Sequence, residues 1–139
     1  MSVELNSSDA AQRPEGEILI VEDEAIIREF VSEILELEGF KTRTLESADL
    51  AKDYLEQHSE NVALLLTDIL MPGSLNGATL ANLSHRQWPN IPVMIMSGHE
   101  TPESSGVEYP VEFIRKPWTM GQLITGVERA LTTQRSLLD

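Results

Sequence analysis

The residues best suited to chemistry stand just after short apolar runs. Glu22-Asp23-Glu24 follows Ile18-Leu19-Ile20-Val21, Asp68 follows Val62 to Thr67, and Ser97-Gly98 follows Val93-Met94-Ile95-Met96. Lys116-Pro117 comes soon after a further run, Val111 to Ile114. Runs of this length read as strands buried on both faces. In one parallel sheet their carboxyl ends share a rim, the place where such sheets bind ligands. At least three carboxylates, one hydroxyl and one ammonium would then meet there. Crowded carboxylates repel, and one takes up a proton unless a cation intervenes. A hard divalent ion such as Mg²⁺ suits them, because it takes oxygen ligands from one or two carboxylates, waters and phosphate oxygens. A lysine can neutralise a phosphoryl oxygen and a serine hydroxyl can bind another, which is what phosphoryl transfer asks of a site. A carboxylate can also be the nucleophile, forming an aspartyl-phosphate. The chain has no cysteine, which excludes a thiol nucleophile, a Cys metal site and a disulfide framework.

Five strands and five helices are expected to position these groups. From Ala25 to Glu38, Ile27, Phe30, Val31, Ile34 and Leu35 make one helical face, with Gly39 as the stop. Phe40 to Leu45 alternates like a half-buried strand, and residues 47–58 read as a helix with Ala48, Ala51 and Leu55 inward. Pro72-Gly73-Ser74 breaks the chain before a helix over Leu75 to Trp88, which Pro89 to Pro92 ends. Pro102, Gly106 and Pro110 leave room only for a short or irregular fourth helix. The last helix runs from about Met120 to Thr133, opened by a Thr119/Gln122 capping box, with Leu123, Ile124, Val127 and Leu131 inward. This alternation marks an α/β fold, a doubly wound parallel sheet with helices on both faces. Met94, Met96, Trp88 and Trp118 read as packing residues, and His58, His85 and His99 as surface residues.

At 139 residues the chain fits a single domain of about 150. Residues 1–15 are polar and aperiodic and are expected to be a flexible tail. The domain spans 16–133, and 134–139 is expected to be a short C-terminal tail with no output domain. Ten basic against 23 acidic residues give a net charge of −13. That balance argues against nucleic acid and anionic membrane surfaces as direct partners. No apolar run approaches the 18 or so residues of a membrane span, and no signal peptide opens the chain, so a cytoplasmic protein is expected.

V-E-D-E at 21–24, T-D-I-L-M-P at 67–72, N-G at 76–77, M-S-G at 96–98 and R-K-P at 115–117 stand between these elements in a telling order. Together they resemble a bacterial two-component response-regulator receiver domain, from about Glu17 to Leu131. The resemblance implies the flavodoxin-like receiver fold, with strand order 2-1-3-4-5. It implies that Asp68 accepts a phosphoryl group from a histidine kinase or a histidine phosphotransfer protein. Glu22, Asp23, Asp68 and the backbone carbonyl of Leu70 would hold Mg²⁺. Ser97 would be the switch hydroxyl, Lys116 the partner of the phosphoryl group, and Phe113 the aromatic switch residue. Pro117 would set the loop geometry after a peptide that is often cis in the family. Leu70 and His99 would tune how long the aspartyl-phosphate lasts. A downstream protein would bind the face made by the fourth helix, fifth strand and fifth helix. Three features depart from the usual pattern: one extra residue between Pro72 and Gly77, Gly98 in place of Ala, and a short segment from Ser97 to Lys116.

Blander readings exist for each residue taken singly. Glu22-Asp23-Glu24 could be a solvated helix start, Asp68 a strand-end cap, Lys116 a solvated lysine and Ser97 a turn serine. Their joint placement at strand ends favours the site. The expected function is a phosphorylation-dependent switch signalling through protein contacts, not a turnover enzyme. A phosphorelay intermediate, a phosphate sink and a receiver excised from a hybrid histidine kinase are alternatives. An aspartate-nucleophile phosphatase needs a second acid two residues after the nucleophile, where this chain has Leu70.

Overall fold

A computed structural model of the protein describes residues 13–69, 76–98, 100–101 and 104–138, with side chains as far as Thr132. Strands β1 (Glu17–Val21), β2 (Lys41–Leu45), β3 (Val62–Asp68), β4 (Val93–Ser97) and β5 (Glu112–Arg115) alternate with helices α1 (Ala25–Leu37), α2 (Ala48–His58), α3 (Gly77–Gln87) and α4 (Met120–Leu138). Every strand pair is parallel, and the order is β2-β1-β3-β4-β5, as expected.

The apolar runs are continuous because both sheet faces are covered. Leu19, Val21, Leu65 and Ile95 point to one side, against Ala48, Ala51 and Leu55 of α2 and Leu80 and Ala81 of α3. Ile18, Ile20, Leu64, Leu66, Met94 and Met96 point to the other, against Val31, Ile34 and Leu35 of α1 and Leu123, Val127 and Ala130 of α4. Each fully buried Leu or Ile contributes roughly 1.5–3 kcal/mol. Local signals set the helix ends. Ser47 and Asn76 accept hydrogen bonds from the amides of Leu50 (3.1 Å) and Thr79 (2.8 Å). The capping box forms, with Thr119 N donating to Gln122 Oε1 at 2.8 Å and Gln122 N to Thr119 Oγ1 at 3.1 Å. At the end of α1, Gly39 takes φ +93°, so that its amide and that of Phe40 reach back to Glu36 O and Leu35 O, both at 3.0 Å.

The expected fourth of five helices does not form: among the described residues there are four α-helices and none between β4 and β5. The segment makes one turn, in which the amides of Ser104 and Ser105 donate to Thr101 O. Pro102, Gly106 and Pro110 leave too short an uninterrupted stretch to repay helix nucleation. The segment is fastened to α3 instead. Asn82 Nδ2 donates to Gly106 O (2.9 Å), Glu108 N donates to Asn82 Oδ1 (2.8 Å), and Tyr109 stacks on His85 at 3.8 Å. His85 is therefore half-buried, not a free surface residue. Phe30, expected on the inner face of α1, is 48% exposed and stacks on Trp118 at 6.1 Å.

Helix α4 runs five residues past Thr133, to Leu138, with no glycine or proline after Gly126 to stop it. At the other end, residues 13–15 lie on the domain. Arg13 bonds Glu38 O (2.9 Å) and Glu128 Oε2 (3.1 Å) with its guanidinium over Phe40, and Lys41 donates to Glu15 O. No helix among the described residues is long and apolar enough to cross a membrane.

Candidate functional site

The register carries the strand ends to one rim. Val21 pairs with Thr67, Asp68 with Met96, and Ser97 with Arg115, so the residues that follow β1 and β5 flank the ends of β3 and β4. Glu22 is fully buried there. Its amide donates to Leu45 O at 3.1 Å, its carbonyl accepts from Arg28 Nη1 at 2.7 Å, and Glu24 N donates to its Oε2 at 3.1 Å. Asp68 is 6% exposed. Its Oδ1 accepts from Ile69 N at 2.7 Å and its Oδ2 from Lys116 Nζ at 2.6 Å. The same ammonium lies 3.4 Å from Glu22 Oε1. Asp23 is exposed and completes a trio in which Glu22, Asp23 and Asp68 each offer an oxygen within 4.8 Å of the others.

The electrostatics follow from that crowding. Burial first, and then the Asp68 charge and the Asp23 side chain, push the Glu22 carboxyl up to about 7, against the opposing pull of the Glu24 amide and of Lys116. Burial works to lower Lys116, yet its hydrogen bond to Asp68 and the charges of Asp68 and Glu22 outweigh it and hold the ammonium above its ordinary value. The trio offers only hard oxygen donors, partly neutralised by one lysine. That donor set fits Mg²⁺.

Close backbone approach keeps Asp68 in place. Gly77 N, at the start of α3, donates to Ile69 O at 2.8 Å, and a methyl group at Gly77 would overlap the Asp68 carbonyl. This gives the N-G pair at 76–77 its physical meaning: Asn76 caps the helix and Gly77 lets it approach β3. Lys116 N donates to Ser97 O at 2.7 Å, and the Lys116–Pro117 peptide is cis. Phe113 is half-buried, opposite Ile95 on the α2/α3 side of the sheet. A Cβ on Gly98 would meet open space.

The hydroxyl of Ser97, fully buried, is engaged by Glu100. It donates to Glu100 Oε1 at 2.7 Å and accepts from Glu100 N at 2.9 Å. Sequence reasoning missed Glu100, although a serine bonding the backbone three residues on is a common local motif. It also missed Arg28, whose bond to the Glu22 carbonyl has no sequence signature. Leu70 and His99 lie outside the described residues.

The response regulator receiver domain family matches residues 18–128. The chain belongs to that family. The receiver is 38% identical over 123 residues to the nitrogen assimilation regulatory protein NtrX of Azorhizobium caulinodans, covering 86% of this chain and 27% of that protein. It is 30% identical to the DNA-binding transcriptional regulator NtrC of Proteus hauseri, covering 86% of this chain and 25% of that one. It thus spans only about a quarter of the length of these two relatives. Among solved structures it resembles the receiver domain of NtrX from Brucella abortus, with 37% identity and a TM-score of 0.75 over 84% of this chain and 99% of that one. It also matches a response regulator receiver protein from Sinorhizobium medicae, at 30% identity and TM-score 0.77 over 86% and 96% of the two chains.

Proposed function

We propose that this receiver is a phosphorylation-dependent signalling switch that takes a phosphoryl group onto Asp68 from the phosphohistidine of a histidine kinase or histidine phosphotransfer protein. The observation that carries the reading is the 2.6 Å contact of Lys116 Nζ with Asp68 Oδ2 beside the cluster of three carboxylates. In the transfer a carboxylate oxygen of Asp68 attacks phosphorus, the P–N bond to the donor imidazole breaks, and the imidazole leaves. The Ile69 amide on Oδ1 and Lys116 on Oδ2 orient the nucleophile. Lys116 then neutralises a phosphoryl oxygen, and Ser97 supplies a hydrogen bond to another. Glu22, Asp23 and Asp68 would hold Mg²⁺, together with the Leu70 carbonyl; when bound, the ion supplies charge neutralisation at the phosphoryl oxygens.

The protein passes a signal and does not turn over a free substrate. The output surface is the face of β5, α4 and the segment 104–111 that stands where the fourth helix was expected, and its partner is a protein. Incubation with phosphoramidate and Mg²⁺ tests the acceptor. The expected result is a mass gain of one phosphoryl group that Asp68→Asn abolishes while the far-ultraviolet circular dichroism is unchanged. Labelling of Asp68→Asn to the same extent would overturn the assignment.

A further inference from the structure

The hydroxyl of Ser97 is already committed in this structure. A serine has one proton to donate, and here it goes to Glu100, 2.7 Å to Oε1 with the main-chain oxygen at 3.2 Å. Glu100 N returns a hydrogen bond to the same oxygen at 2.9 Å. The Ser97 side chain is fully buried and Glu100 half-buried, and a hydroxyl-to-carboxylate bond is among the stronger kinds. Ser97 also closes β4, its carbonyl bonded to the amide of Lys116, whose ammonium lies on Asp68. From Glu100 the chain leads into the segment that Asn82 fastens to α3.

We infer that Glu100 is a latch on the phosphoryl site: it holds the Ser97 hydroxyl in the unphosphorylated protein, and a phosphoryl group on Asp68 must displace it. This rests on the reading of Asp68 as phosphoacceptor and adds a residue that sets how readily the switch turns. The phosphoryl group competes for the single hydroxyl proton. Its charge of about −1.5 to −2 also repels the Glu100 carboxylate. Both effects disfavour the phosphorylated arrangement while Glu100 is in place. Glu100 acts through Ser97 and is a positioning residue.

The test is a double-mutant cycle on the affinity for beryllofluoride, a tetrahedral anion that bonds to a carboxylate oxygen as a phosphoryl group does. The anion is titrated calorimetrically with Mg²⁺ present. Glu100→Ala should bind roughly tenfold tighter than the parent protein, the scale of one charge-assisted hydrogen bond released. Glu100→Gln, which keeps an acceptor but loses the charge, should fall between them. In a Ser97→Ala background the gain from Glu100→Ala should shrink to about threefold or less, the part due to charge alone. No gain from either Glu100 variant, or an equal gain with and without the Ser97 hydroxyl, would overturn the latch. Asp68→Asn is the control for the underlying reading. If the folded parent protein binds Mg²⁺ but no beryllofluoride, the phosphoacceptor reading itself fails and the latch falls with it.

Discussion

At the scale of single residues, Glu22 shows how far position overrides side-chain type. Its carboxyl is pushed up to about 7 by burial among other acids, against an ordinary value of 4.5. A folded-state value raised above the unfolded one means that the native protein binds the extra proton. The stability this adds is present in full below about pH 4.5 and is lost as the pH rises through about 7. Without metal, the urea midpoint is expected to fall between pH 5 and 8, and Glu22→Gln should flatten that slope. An unchanged slope in Glu22→Gln would show that other groups govern it. Residue types made Glu22, Asp23, Asp68 and Lys116 legible in the sequence, because each follows an apolar run. Glu100 and Arg28 were not, since their roles come from bonds to Ser97 and to a main-chain carbonyl.

At the scale of elements, the contact between α3 and β3 fixes the position of Asp68. Gly77→Ala would force the start of α3 away from the Asp68 carbonyl. Such overpacking is expected to cost about 1–3 kcal/mol in urea unfolding and to lower phosphoramidate labelling of Asp68. Gly98→Ala is the matched control: its added methyl meets open space, and both measurements should stay near those of the parent protein. Strands were readable as short apolar runs because both sheet faces are covered, and helices from the period of their one buried face; predicted and observed bounds of the five strands agree within about two residues. Among the described residues no helix stands where a short or irregular fourth one was expected, for a reason the sequence carried in Pro102, Gly106 and Pro110. What replaces it was hidden, because Asn82, His85 and Tyr109 meet only once α3 lies beside the segment.

At the scale of the whole molecule, a net charge of −13 makes the fold self-repelling, and three of the acids are crowded at one rim. A ligand that binds the native state alone stabilises it by about 2.7 kcal/mol at a hundred times its Kd. Mg²⁺ at that excess should therefore raise Tm by several degrees, and sodium chloride of equal ionic strength should not. Asp23→Asn, at an exposed position, should keep the fold and lose most of the rise. An equal rise with sodium chloride would point to screening of the overall charge and not to the carboxylate trio.

The sequence by itself determined the sheet, its alternation with helices and the candidate chemistry at the strand ends. Apolar periodicity and residue type are properties of the chain, and burial only enforces them. The tertiary structure decided the rest. The close pairing of Lys116 with Asp68, the lifted Glu22 carboxyl, the bond of Ser97 to Glu100 and the strap on α3 depend on distances between groups remote in sequence or on a turn's exact path. Those distances are set by packing both faces of one sheet at once, which no local pattern encodes.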